Sequence, residues 1–119
     1  SLVGSEMCIR DSDPSADAGC NEIFGPVAIV YRADDVEDAV RTANNSDYGL
    51  SGSVWGTDLE LAEQTAARLE VGMSFVNEAS VTAAGLPFGG VGRSGYGREL
   101  AEWGVGEFCN DHLVRVRSL

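Results

Sequence analysis

Basic residues are scarce in this chain. Eight Lys plus Arg stand against nineteen Asp plus Glu, for a formal net charge of −11. Nucleic-acid binding needs cations to neutralise phosphates, so the balance argues against a nucleic-acid partner. It argues equally against attraction to an anionic lipid surface. Long apolar runs are missing too, so no segment reads as a membrane span and no membrane partner is expected. No basic start followed by an apolar stretch marks a secretory signal. Three cysteines, Cys8, Cys20 and Cys109, form no even framework. That pattern reads as reduced thiols in a cytoplasmic protein. Histidine occurs once, as His112. The sequence has no internal repeat and no low-complexity tract.

What is present fits a globular chain. Its 119 residues make one domain or part of one, and 44% apolar with 23% charged residues suits a folded protein. The first residue is Ser1 rather than Met, which predicts that the true N-terminus lies upstream. Residues 1–12 show neither helical nor strand periodicity and 13–19 read as a flexible polar lead, so 1–20 read as a non-native or disordered leader, outside the fold.

Residues 27–32 are apolar and rich in β-branched side chains, as in a buried strand. Asp34 then opens a helix, with Glu37 at the reciprocal position of a capping box. Val36, Ala39, Val40 and Ala43 recur at helical spacing along it. A second strand is expected over 50–56. Thr57-Asp58-Leu59-Glu60 reads as another capping box, with Leu59, Ala62, Ala66 and Leu69 on one face of the helix behind it. A third strand is expected over 72–77. The alternation strand, helix, strand, helix, strand predicts an α/β fold with mostly parallel strands covered by helices. Residues 78–95 form a long Gly-rich loop, and such loops are usually functional or disordered. A short helix is expected near 97–103. The tail 112–117 alternates apolar and polar residues, as a strand does when it pairs with an exposed edge.

Several constellations bear on chemistry. Glu22-Ile23-Phe24-Gly25-Pro26 sets a carboxylate two positions from an aromatic ring. The carboxylate suits ribose hydroxyls, and the ring suits a planar heterocycle. Gly90-Val91-Gly92-Arg93-Ser94-Gly95 matches a dinucleotide fingerprint, but no strand runs straight into it, so a glycine-requiring turn is favoured. Cys109 and His112 are three residues apart, yet local spacing defines neither a catalytic pair nor a metal site, and no metal is expected. Phe88, in Pro87-Phe88-Gly89-Gly90, either lines a small-molecule pocket or folds into local core. Asn44-Asn45-Ser46 fits a glycosylation sequon.

Four runs stand in order: Glu22-Ile23-Phe24-Gly25-Pro26, Ala43-Asn44-Asn45-Ser46-Asp47-Tyr48-Gly49-Leu50, Pro87-Phe88-Gly89-Gly90, and Arg93-Ser94-Gly95-Tyr96-Gly97-Arg98-Glu99. Together they closely resemble the C-terminal part of the NAD(P)-dependent aldehyde dehydrogenase superfamily, from about Asn21 to Leu119. The resemblance implies the end of the catalytic domain over 21–109 and an oligomerisation arm strand over 110–119. It implies NAD or NADP as cofactor, with Glu22 on the nicotinamide ribose hydroxyls and Phe24 beside the nicotinamide. It implies an aldehyde substrate, with Phe88 lining its pocket, and a homo-oligomer paired through 112–117. Phe75-Val76-Asn77-Glu78 and the last glycine run look most like succinate-semialdehyde dehydrogenases, in which case Thr82 helps hold the substrate carboxylate.

The departures matter. The family's nucleophilic cysteine lies well upstream of the Glu-Ile-Phe-Gly-Pro run, and neither Cys20 nor Cys8 matches it. Cys109 lies near the arm. The general base is absent as well, so no catalytic residue is expected in this chain and it should be inactive alone. Two alternatives belong to other classes: a non-catalytic module that docks by strand addition through its tail, and a small nucleotide-binding domain built on the glycines 90–95.

Overall fold

A computed structural model describes the backbone of residues 8–11 and, from 25 to 118, the whole residues. Six strands and three helices alternate along it. They are β1 (Cys8–Asp11), β2 (Val27–Val30), α1 (Val36–Asn44), β3 (Tyr48–Gly49), β4 (Ser51–Val54), α2 (Leu59–Ala66), β5 (Met73–Val76), β6 (Val91–Gly92) and α3 (Ala101–Gly106). The expected order strand, helix, strand, helix, strand is present as β2, α1, β4, α2 and β5.

The strands pair two by two. β4 and β5 run parallel, Ser51 opposite Met73 and Val54 opposite Val76, with α2 as the crossover between them. β2 pairs in parallel with β1. Residues 8–11, which form β1, belong to the segment 1–20 expected to lie outside the fold; the rest of that segment lies outside the described residues. Parallel pairing is made by backbone groups, so a segment without alternation can still take part. β3 and β6 form a short antiparallel pair that the sequence pattern did not announce, because two residues are too few to show a period.

Both long helices are capped one residue later than expected. Asp35, not Asp34, caps α1: its carboxylate accepts from the Asp38 N–H at 2.8 Å, and the Asp38 carboxylate accepts from the Asp34 N–H at 3.1 Å. Glu37 is thereby free to reach across to Arg68, just beyond α2, in a two-pronged ion pair. Asp58, not Thr57, caps α2 through the Leu61 N–H. Asp accepts as well as Thr at this position, and here the later residue takes the extended backbone of a cap.

Asn44 ends α1 and joins the two helical units. Its Nδ2 donates to the Arg68 carbonyl and its Oδ1 accepts from the Glu70 N–H, both at 2.9 Å. This side chain is therefore engaged rather than offered as a sequon. Asn77 closes β5 in the same way: its Oδ1 accepts from the Gly56 N–H and its Nδ2 donates to the Gly56 carbonyl, both at 2.8 Å.

Among the described residues, the buried apolar side chains are Val40, Ala62 and Ala66. They come from the predicted faces of α1 and α2. Leu59, from the same predicted face, is 59% exposed. From 109 to 118 no helix or strand is present and every residue is exposed. The expected arm strand thus has no pairing within the described chain.

Candidate functional site

The Gly-rich loop docks back across the β4–β5 pair. The approach is close at Gly72, at the entry to β5. A Cβ there would lie 1.9 Å from the Gly89 carbonyl oxygen, so only hydrogen fits. Gly92 turns with φ of 59°, and the following Arg93 N–H donates to the Asp47 carbonyl at 2.8 Å. Ser94 then folds back so that its Oγ accepts from the Gly49 N–H at 3.0 Å. These contacts make 90–95 a turn wound onto β3. The helix that a pyrophosphate cradle would need does not follow it, since α3 starts only at Ala101.

Beyond this turn the chain runs antiparallel to the Pro87-Phe88-Gly89-Gly90 run. Phe88 and Glu99 exchange both backbone hydrogen bonds, at 2.9 and 2.7 Å. Arg98 Nη1 donates to the Gly90 carbonyl at 2.8 Å and to the Gly97 carbonyl at 2.7 Å. The Glu107 carboxylate, from the end of α3, accepts from the Arg98 N–H at 3.2 Å. These groups surround a cleft of about 380 Å³ lined by Phe88, Leu50, Ser94, Arg98, Glu99 and Glu107 among others. It combines two aromatic rings, Phe88 and the outlying Tyr96, with several polar groups, as small-molecule sites do.

The predicted site residues are placed unevenly. Phe88 is half-buried and lines this cleft. Thr82 is exposed on the preceding loop and is not among the lining residues. Glu22 and Phe24 lie outside the described residues. Sequence reasoning missed Arg98 and Glu107. The available signal was a long cationic side chain directly after Gly97, where free carbonyls of a glycine loop need donors.

Among the described residues, the one clear electrostatic perturbation lies away from the cleft. Hydrogen bonding from Arg68, and then its charge, hold the Glu37 carboxyl below its ordinary value, and Glu37 in turn raises Arg68. Both groups are exposed, so this pair ties the surface of α1 to the end of α2 without bearing on chemistry.

The fold is a partial α/β domain whose Gly-rich loop places Phe88 at the cleft. Residues 7–114 match the aldehyde dehydrogenase family, and the chain belongs to that family. It is 50% identical over 108 residues to a succinate-semialdehyde dehydrogenase [NADP(+)] of Deinococcus radiodurans, covering 91% of this chain and 23% of that protein. It is 47% identical over 101 residues to a succinate semialdehyde dehydrogenase [NAD(P)+] of Escherichia coli, covering 85% of this chain and 22% of that protein. The crystal structure of succinic semialdehyde dehydrogenase from Streptococcus pyogenes in complex with NADP+ superimposes with a TM-score of 0.82 at 40% identity, covering 92% of this chain and 24% of that one. The chain thus spans about a quarter of the length of the relatives it matches.

Proposed function

We propose that this chain forms the last part of an NAD(P)-dependent aldehyde dehydrogenase that oxidises an aldehyde to a carboxylic acid. Succinate semialdehyde is the proposed substrate, since relatives at 47 to 50% identity carry that name. One observation supports the reading above all. The runs that carry the family resemblance, Pro87-Phe88-Gly89-Gly90 and Arg93 through Glu99, fold against each other around one cleft.

In this reading 21–109 belong to the catalytic domain, and 110–119 form the arm that pairs with a second subunit through 112–117. Phe88 lines the aldehyde pocket and excludes water from it. The Thr82 hydroxyl donates to the substrate carboxylate. Glu22 accepts from the ribose hydroxyls of NAD or NADP, and Phe24 packs beside its nicotinamide. The described residues do not themselves cradle a dinucleotide, because the glycines 90–95 wind onto β3 with no helix behind them. The cofactor assignment therefore rests on Glu22 and Phe24. A cytoplasmic location goes with this proposal; no helix among the described residues is long and apolar enough to cross a membrane.

The family's first step is thiolate attack on the aldehyde carbon. Cys109 is exposed beside the tail and is assigned no part in it. The chain alone is therefore inactive. Purified chain given succinate semialdehyde with NAD or NADP is expected to reduce no nicotinamide. Turnover that is abolished by Cys109→Ser overturns the assignment.

A strand-addition module is the second reading. It is favoured by Leu113, Val114 and Val116, which are 87%, 72% and 87% exposed at the tail. Sedimentation of the chain with and without 110–119 tests it, and a monomer in both cases counts against it.

A further inference from the structure

We infer that Arg98 is a positioning residue for Phe88, replacing a missing rung of backbone pairing with its guanidinium. The inference rests on the proposed role of Phe88 in the aldehyde pocket. Phe88 and Glu99 exchange both N–H···O bonds of an antiparallel pair. In such a pairing the next hydrogen-bonded rung falls two residues along each strand, which here joins Gly90 to Gly97. That rung is made differently. The Gly90 and Gly97 carbonyls both accept from Arg98 Nη1, at 2.8 and 2.7 Å.

One nitrogen of the guanidinium carries two hydrogens in a fixed plane, so it can serve two carbonyls at once. Its charge strengthens both bonds relative to neutral donors. Gly90 is buried, and a carbonyl without a donor at that position is costly. Gly89 and Gly90 have no side chains with which to hold the strand that carries Phe88, so the staple comes from the opposite strand. Glu107 fixes the staple's own base by accepting from the Arg98 N–H at 3.2 Å. The consequence is a ring whose backbone is clamped at Phe88 itself and again two residues further on, at Gly90. Its direction into the cleft is then set before substrate arrives, which lowers the cost of binding.

The test uses a complete enzyme, with this chain in place of the corresponding last quarter of the Deinococcus radiodurans relative. Turnover by the unsubstituted chimera tests the proposed function; its absence counts against that function and leaves the amide exchange to judge the staple. In Arg98→Met the Phe88 and Glu99 amides are expected to exchange about tenfold faster, as for loss of a charge-assisted hydrogen bond. The Met73 and Asn77 amides, which hold β4 to β5, should not change. The KM for the aldehyde rises by a similar factor with kcat nearly kept, and Arg98→Lys restores part of both effects. Unchanged Phe88 and Glu99 amides in Arg98→Met overturn the inference. So does a uniform acceleration that includes Met73 and Asn77.

Discussion

In isolation the chain leaves large apolar side chains uncovered: Trp55 is 65% exposed, Val105 66% and Phe108 93%. Fully burying one such side chain is worth about 1.5–3 kcal/mol. For these three the missing burial is about 5–9 kcal/mol, as large as the whole net stability of a domain, about 5–15 kcal/mol. The isolated chain is therefore predicted to keep secondary structure but lose fixed packing, with no cooperative heat transition and with strong binding of a hydrophobic dye. Calorimetry with dye fluorescence measures this. A sharp transition in a monomeric, dye-silent chain would refute the reasoning, because it would show that these faces need no cover.

Three further predictions concern the chain carried within a complete enzyme. Asn77→Ala loses both bonds to Gly56 and places alanine at φ of 54°, for about 2–4 kcal/mol in all. Asn77→Gly loses the bonds but not the backbone fit, so its thermal-inactivation midpoint should fall between wild type and Asn77→Ala; equal losses contradict the backbone part. Glu37 has a lowered pKa, so its pair with Arg68 stabilises above the ordinary carboxylate value and is lost as pH falls through the folded value. The difference in melting temperature between wild type and Glu37→Gln should therefore be small, shrink in acid and shrink in salt, and a pH-independent difference contradicts the assignment. Thr82→Val should raise the KM for succinate semialdehyde about tenfold, as for one lost bond to a charged group. The KM for an uncharged aldehyde of the same length should hold, and equal shifts refute the carboxylate role.

The long elements were legible because their signals are periodic and local. Val40, Ala62 and Ala66 follow from helical spacing, β4 from a run of small residues, and β5 from a short run holding Met73, Phe75 and Val76, each strand lying between turn residues. The cap positions were off by one because Asp34 and Asp35, or Thr57 and Asp58, are chemically equivalent acceptors until the backbone chooses. Phe88 was legible as a pocket candidate, with its ring beside a glycine hinge. For Arg98 the cation after Gly97 was visible but its role was not, because its partners are the carbonyls of Gly90 and Gly97, and acceptors common to every residue do not say which of them a donor meets. The pairing of β3 with β6 was hidden for a related reason. It depends on close approaches at Gly49 and Gly92, which are properties of tertiary packing.

A chain that completes an aldehyde dehydrogenase, and does not act alone, is active only when joined to the rest of such an enzyme. NADP reduction is compared for the isolated chain, for the Deinococcus radiodurans enzyme lacking the matching segment, and for the chimera that joins the two. Neither part is expected to turn over succinate semialdehyde, and the chimera is expected to do so. A folded chimera without turnover, or an isolated chain with it, would show that the chain does not complete such an enzyme.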